Sequence, residues 1–142
     1  MIDLLLHQSF ESQGLRFITP KMAFPLLQKG ALLIDLRPDY EGAGKLPDVP
    51  NLLLIPYSEI NQSLDEIPHD EAVILADAVG IKSKEVLKLL ISSGYNNVVS
   101  LAGGFVDWER DGYPIIIDLS ERLTGSCMCQ LRPRERKKKK DI

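Results

Sequence analysis

With 142 residues, the chain has room for one globular domain and a tail but not for two roomy domains. Apolar residues make up 44% and charged residues 26%, which excludes a wholly disordered or fibrous protein and leaves enough apolar surface for a core. The net charge of −3 conceals an asymmetry: residues 132–142 carry +5 and the remainder −8, so the acidic body is a poor nucleic-acid surface and any anionic partner falls to the tail.

The apolar cluster at residues 2–6 is far shorter than the roughly 18 residues of a membrane span. It contains Asp3 and has no basic residue ahead of it, so neither a transmembrane nor a secretory segment is expected. Residues 1–17 are set apart as an N-terminal extension. Residues 19–29 read as a helix: Thr19 caps it, Pro20 suits the first helical position, and Gly30 stops it, with Pro25 as an internal blemish. The continuous apolar run at 31–36, ending in Asp35 and Arg37, has the pattern of a strand buried on both faces.

Residues 38–51 contain Pro38, Gly42, Gly44, Pro47 and Pro50 and are expected to be loop. Residues 52–55 and 72–76 read as two further buried strands. After the latter come Asp77, Ala78, Val79, Gly80, Ile81, Lys82 and Ser83, then an amphipathic helix over 84–93 that ends at Gly94. A fourth strand is predicted at 98–101, helical spacing through Phe105, Val106 and Trp108, and an edge strand at 115–117. Strands alternating with helices specify an α/β sandwich with a mainly parallel sheet. Ligands in such sheets bind at the carboxyl ends of the strands, where the 77–83 loop falls.

Residues 18–117 resemble a single rhodanese domain. The resemblance is carried by Ile18-Thr19-Pro20, by Leu33 to Arg37 with its Asp-x-Arg, and by the strand-loop-helix at 72–93. It continues through Gly94, Tyr95, Asn97 and Val98, then Leu101 to Phe105, Trp108 and Gly112-Tyr113-Pro114. It implies a three-layer sandwich whose central, mainly parallel, five-stranded sheet is flanked by helices. It also implies thiosulfate or a persulfide donor as substrate class, with a cysteine persulfide intermediate; no cofactor is expected.

The family's active loop reads Cys-x-x-Gly-x-Arg-Ser. Gly80 and Ser83 fall on its Gly and Ser, which puts Lys82 at the Arg and Asp77 at the Cys. The family's upstream Gly-His-Ile-Pro-Gly-Ala becomes Gly44, Lys45, Leu46, Pro47, Asp48, Val49. A carboxylate accepts the same main-chain donors as a thiolate but forms no stable bond to sulfane sulfur. The expectation is a pseudoenzyme: a loop built for anions, no ordinary sulfurtransferase turnover, and a binding or regulatory module with a protein partner at the 77–83 loop.

Asp77 itself has three readings. It caps the helix beginning near Ser83 or plugs the loop amides, it binds a cation or a partner's Arg or Lys, or it acts as a nucleophile. Lys82 is expected to be solvated and paired with Asp77. Asp35 and Arg37 are read as supporting residues, with Arg37 reaching toward the loop. His7 and His69 are read as surface residues, Trp108 as core, and no metal site is expected.

Residues 118–142 form a tail with Cys127 and Cys129 and a polybasic end, and two thiols are too few for a closed zinc site. With no disulfide framework available to the body, a cytoplasmic setting is expected. Besides a solubilising end, the tail admits a thiol arm that carries sulfur, acylation beside basic residues at a membrane, or docking onto an anionic partner. The alternative to a binding module is therefore an unconventional sulfur carrier or sulfurtransferase working through Cys127 or Cys129.

Overall fold

The computed structural model describes residues 1–38 and 44–117. Among the described residues there are four helices, α1 (Ile2–Gln8), α2 (Pro20–Gln28), α3 (Ile81–Ser92) and α4 (Gly104–Arg110), with a 3-10 stretch at Tyr57–Glu66. Eight strands accompany them: β1 (Phe10–Ser12), β2 (Leu15–Ile18), β3 (Leu32–Asp35), β4 (Lys45–Pro47), β5 (Leu52–Leu54), β6 (Val73–Ala76), β7 (Val98–Leu101) and β8 (Ile115–Ile117). The main sheet has the order β1-β2-β7-β6-β3-β5. Its five strands from β2 to β5 are parallel, as expected from the sequence, and β1 adds a sixth, antiparallel to β2.

The central strands β3, β6 and β7 are buried at every position, which is why they read as unbroken apolar runs rather than alternating ones. Successive side chains go to opposite faces. Leu33, Ile74 and Val99 face a core built with α1, α2 and α4, where Leu5, Leu27 and Trp108 are wholly buried. Ile34, Leu75 and Val98 face a second core under α3 and the 3-10 stretch, with Val86, Leu87, Leu90 and Tyr95. Trp108 thus lies in the core, its Nε1 donating to the Pro114 carbonyl at 2.9 Å, and Tyr113 packs on its ring. Thr19 caps α2 as expected, its hydroxyl accepting from the Met22 amide.

Three expectations are corrected. Residues 45–47, expected to be loop, form β4, which pairs antiparallel with β8 as a separate two-stranded sheet. Pro47 is compatible with this because a short ladder at the margin does not require its missing donor. For the same reason residues 115–117 are a strand but not an edge of the main sheet. The third correction concerns α3, which begins at Ile81 rather than near Ser83.

The 1–17 segment contributes structure of its own. Leu5 of α1 is wholly buried, and β1 and β2 form a hairpin whose Gln13 and Gly14 both have positive φ, the two-residue turn that suits strand twist. No helix among the described residues is long and apolar enough to cross a membrane.

Candidate functional site

β6 delivers Asp77 at the carboxyl end of the sheet, and the chain turns through Gly80 into α3. Gly80 has φ +95, in the left-handed region where a side chain is strained. The Asp77 side chain is folded back into its own loop: Oδ1 accepts from the Gly80 amide at 2.7 Å and Oδ2 from the Lys82 amide at 3.0 Å. The residue is only 4% exposed. A carboxylate at the start of α3 also lies at the favourable end of the helix dipole.

The back wall of the loop is α4. The Phe105 amide donates to the Asp77 carbonyl at 2.9 Å and the Val106 amide to the Ala78 carbonyl at 3.0 Å. Gly104 makes this close approach: its φ is +63, and a Cβ there would lie 2.6 Å from the Ala78 carbonyl oxygen, with the Asp77 carbonyl closer still. Ser83 and Ser100, both wholly buried, share a hydrogen bond of 2.7 Å that ties α3 to β7.

Lys82 does not pair with Asp77 through its side chain. Its Nζ lies 5.3 Å from the centre of the Tyr57 ring, and the Tyr57 hydroxyl donates to Glu85 at 2.7 Å. That hydrogen bond, followed by the Glu85 charge and by burial, raises the Tyr57 phenol above its ordinary pKa. Nor is Asp77 the capping residue of α3, since Gly80 holds that position. Its carboxylate acts as the plug for the loop amides.

Beside the loop, Asp35 and Arg37 form a buried bidentate pair, with Nη2 to Oδ2 at 2.9 Å and Nε to Oδ1 at 3.1 Å. Arg37 turns from there to the Lys45 carbonyl at 2.9 Å, and its guanidinium lies 4.2 Å from the centre of the Phe105 ring. The expectation that it reaches toward the 77–83 loop is therefore corrected: it braces α4, behind the loop.

His7 and His69 are exposed, and His69 stacks on Tyr95 at 3.8 Å. Among the described residues no group of His, Cys, Asp or Glu is arranged to hold a metal ion. Cys127, Cys129 and the polybasic end lie outside the described residues. The structure thus brings together all seven residues from Asp77 to Ser83. It adds Tyr57, Ser100, Gly104 and Phe105, which sequence reasoning did not assign to the site; only the glycine pair at 103 and 104 carried a local signal.

A mainly parallel sheet between two helical layers, with a tight strand-to-helix loop at its carboxyl edge, defines a three-layer α/β sandwich of the rhodanese type. The rhodanese-like domain profile matches residues 21–111, and the chain belongs to that family. The thiosulfate sulfurtransferase GlpE of Actinobacillus pleuropneumoniae serotype 7 is 32% identical over 99 residues, covering 69% of this chain and 90% of GlpE. Among solved structures, the rhodanese-like domain protein of Staphylococcus aureus is 27% identical with a TM-score of 0.61, covering 71% of this chain and 96% of that one. The polysulfide-sulfur transferase homodimer of Wolinella succinogenes, at 21% identity and a TM-score of 0.64, covers 81% of this chain and 83% of its own and shares the fold.

Proposed function

We propose that the 77–83 loop is the counterpart of the family's active loop, with Asp77 at the cysteine position, and that the protein is a binding or regulatory module rather than a thiosulfate sulfurtransferase. The observation that carries this reading is the position of the Asp77 carboxylate, which takes up the Gly80 and Lys82 amides at 2.7 and 3.0 Å. In sulfur transfer a thiolate attacks the sulfane sulfur, a sulfur–sulfur bond forms and sulfite leaves. A carboxylate cannot make that bond stably, and its charge opposes the approach of thiosulfate. The loop keeps its anion-holding form and fills it from within. A protein partner then meets the loop's outer surface.

The test is thiosulfate-to-cyanide sulfur transfer by the full chain, read as thiocyanate. The expected result is no rate above the blank. Turnover abolished by Cys127→Ser or Cys129→Ser would transfer the function to the tail thiols, and turnover that survives both substitutions would overturn the reading. Asp77→Cys is expected to restore weak activity at most. Lys82 offers a point charge where a planar bidentate fork belongs, and its ammonium is drawn to Tyr57 rather than to the loop.

A further inference from the structure

We propose that one flank of α3 and the phenylalanine pair of the β1–β2 hairpin form a groove that docks an acidic amphipathic helix of another protein. The groove is separate from the 77–83 loop, and its role does not depend on the chemistry of residue 77.

α3 buries Ser83, Val86, Leu87 and Leu90 against the sheet. Its Lys82 and Glu85 side chains both meet Tyr57, whose amide donates to the Leu36 carbonyl at 2.8 Å just beyond β3, so that flank faces the β3 side of the sheet. At about 100° per residue, Lys84, Lys88 and Ile91 fall on the other flank, toward β2 and β1. There the sheet carries Phe10 and Phe17, a cross-strand pair with ring centres 5.8 Å apart. Phe17 packs into the core beneath α3, so the pair stands on the α3 face, and Phe10 at its edge is 47% exposed. Strand register sets the level: Phe17 lies beside Ser100 of β7, and the Ser100 hydroxyl meets that of Ser83, the residue before Lys84. Lys88 follows one turn later, ~6 Å along α3, and the two-residue step from Phe10 to Ser12 covers ~7 Å in the same direction.

Size and charge select the occupant. α3 sits over β6 and β7, and the midline of β1 and β2 is two strand spacings away, ~10 Å, the separation at which two helices pack. A helix laid on Phe10 and Phe17 therefore stands beside α3 at packing distance. Among the described residues neither Lys84 nor Lys88 is in an ion pair. Glu85 is engaged by Tyr57 on the other flank, and Glu11 of β1 alternates to the face opposite Phe10. The groove thus has a basic wall and an aromatic floor, while the chain up to residue 131 carries −8 overall. An anionic membrane or a nucleic acid repels that whole body, whereas a helix with its acids on one flank meets only the two lysines.

The probe is a synthetic helical peptide of about 14 residues, with Leu at every third or fourth position and Glu along one flank. It is titrated into the isotopically labelled full chain and followed by amide chemical shifts. Saturable shifts are expected at Phe10, Ser12, Phe17, Lys84 and Lys88, with binding weakened at least about threefold between roughly 50 and 300 mM salt. Lys84→Glu with Lys88→Glu weakens binding roughly tenfold, and Phe10→Ser weakens it about as much through the lost aromatic contact. Lys21→Glu with Lys29→Glu, at the two ends of α2 on the opposite face of the sheet, makes the same change in net charge and leaves affinity within about twofold. If Phe10→Ser loosens the hairpin, visible in its own amide shifts, the two lysine pairs decide.

Equal weakening by both lysine pairs overturns the inference, because net charge would then account for the binding. So does the absence of saturable shifts at about 1 mM peptide. Capture by phosphatidylserine vesicles that is lost in Lys84→Glu with Lys88→Glu, without peptide binding, overturns it in favour of a membrane. A concentration-dependent dimer abolished by Phe10→Ser overturns it in favour of a second copy. No sulfur donor takes part in these measurements, so a negative result leaves the reading of the 77–83 loop as it stands.

Discussion

Two aspartates stand at the carboxyl ends of neighbouring strands, Asp35 on β3 and Asp77 just beyond β6, and both are buried. Asp35 is held by a cation, receiving the Arg37 guanidinium on both oxygens and the Arg37 amide on one. Asp77 is held by main-chain amides, and among the described residues no ion pair reaches it. The difference separates fold from chemistry. An ion pair in a buried place constrains both side chains, since removing either strands the other's charge. An amide cradle constrains only that an acceptor of negative character occupy one spot, so residue 77 can change its chemistry while the loop keeps its shape.

The largest effect expected from this contrast is at the ion pair. Arg37→Leu leaves Asp35 buried without its cation and also takes the donor from the Lys45 carbonyl, and a cost of about 3–5 kcal/mol is expected in urea unfolding. A loss below about 1 kcal/mol would mean that Asp35 is stabilised by its surroundings rather than by Arg37, and the two aspartates would then be alike. Next comes Gly104→Ala. It places a Cβ against the Asp77 and Ala78 carbonyls at a residue with φ +63, and should cost about 1–3 kcal/mol from the backbone conformation, with the clash added. Because those carbonyls do not belong to the Asp77 side chain, the same loss is expected in an Asp77→Asn background, measured as a double-mutant cycle.

At Asp77 itself the effect is smaller. Asp77→Ala removes the acceptor for two loop amides that water can partly replace at the sheet end, so roughly 1–2 kcal/mol is expected by thermal or urea unfolding. Asp77→Asn keeps one acceptor oxygen and should recover part of that. If Asp77→Ala proves as costly as Arg37→Leu, the cradle is as much a part of the fold as the ion pair, and the separation fails.

The parts of this arrangement that were legible in the sequence are those encoded by neighbours along the chain. β3, β6 and β7 announce themselves as apolar runs, Thr19-Pro20 marks the start of α2, and Gly80 ahead of an amphipathic run marks a loop at a helix start. What was not legible depends on distant partners. β4 exists because residues 115–117 pair with it, far along the sequence. The hairpin turn uses Gln13 at φ 55, a conformation its residue type does not advertise. The first residue of α3 was hidden because Ile81 and Lys82 have no side-chain cap before them. Within the site, Gly104 and Phe105 read as the start of a helix but not as the wall behind Asp77. Charge type predicted a Lys82–Asp77 pair, while the fold supplied Tyr57 from the opposite side.

That last misreading yields the smallest effect and the sharpest discrimination. If main-chain amides hold Asp77, the Lys82 side chain is dispensable to it, and Lys82→Ala should change stability by no more than about 0.5 kcal/mol. The amide of residue 82 is retained in the variant, so the bond to Oδ2 survives. What should change is the environment of Tyr57, whose ring loses its cation while its hydroxyl keeps Glu85. A spectroscopic titration should still show the phenol above its ordinary pKa, because the hydrogen bond to Glu85 is the largest cause of that rise and remains in place. A stability loss approaching that of Asp77→Ala would instead mean that the ammonium, not the amides, balances the buried carboxylate, which would make residue 77 a charge-paired position of the same kind as residue 35.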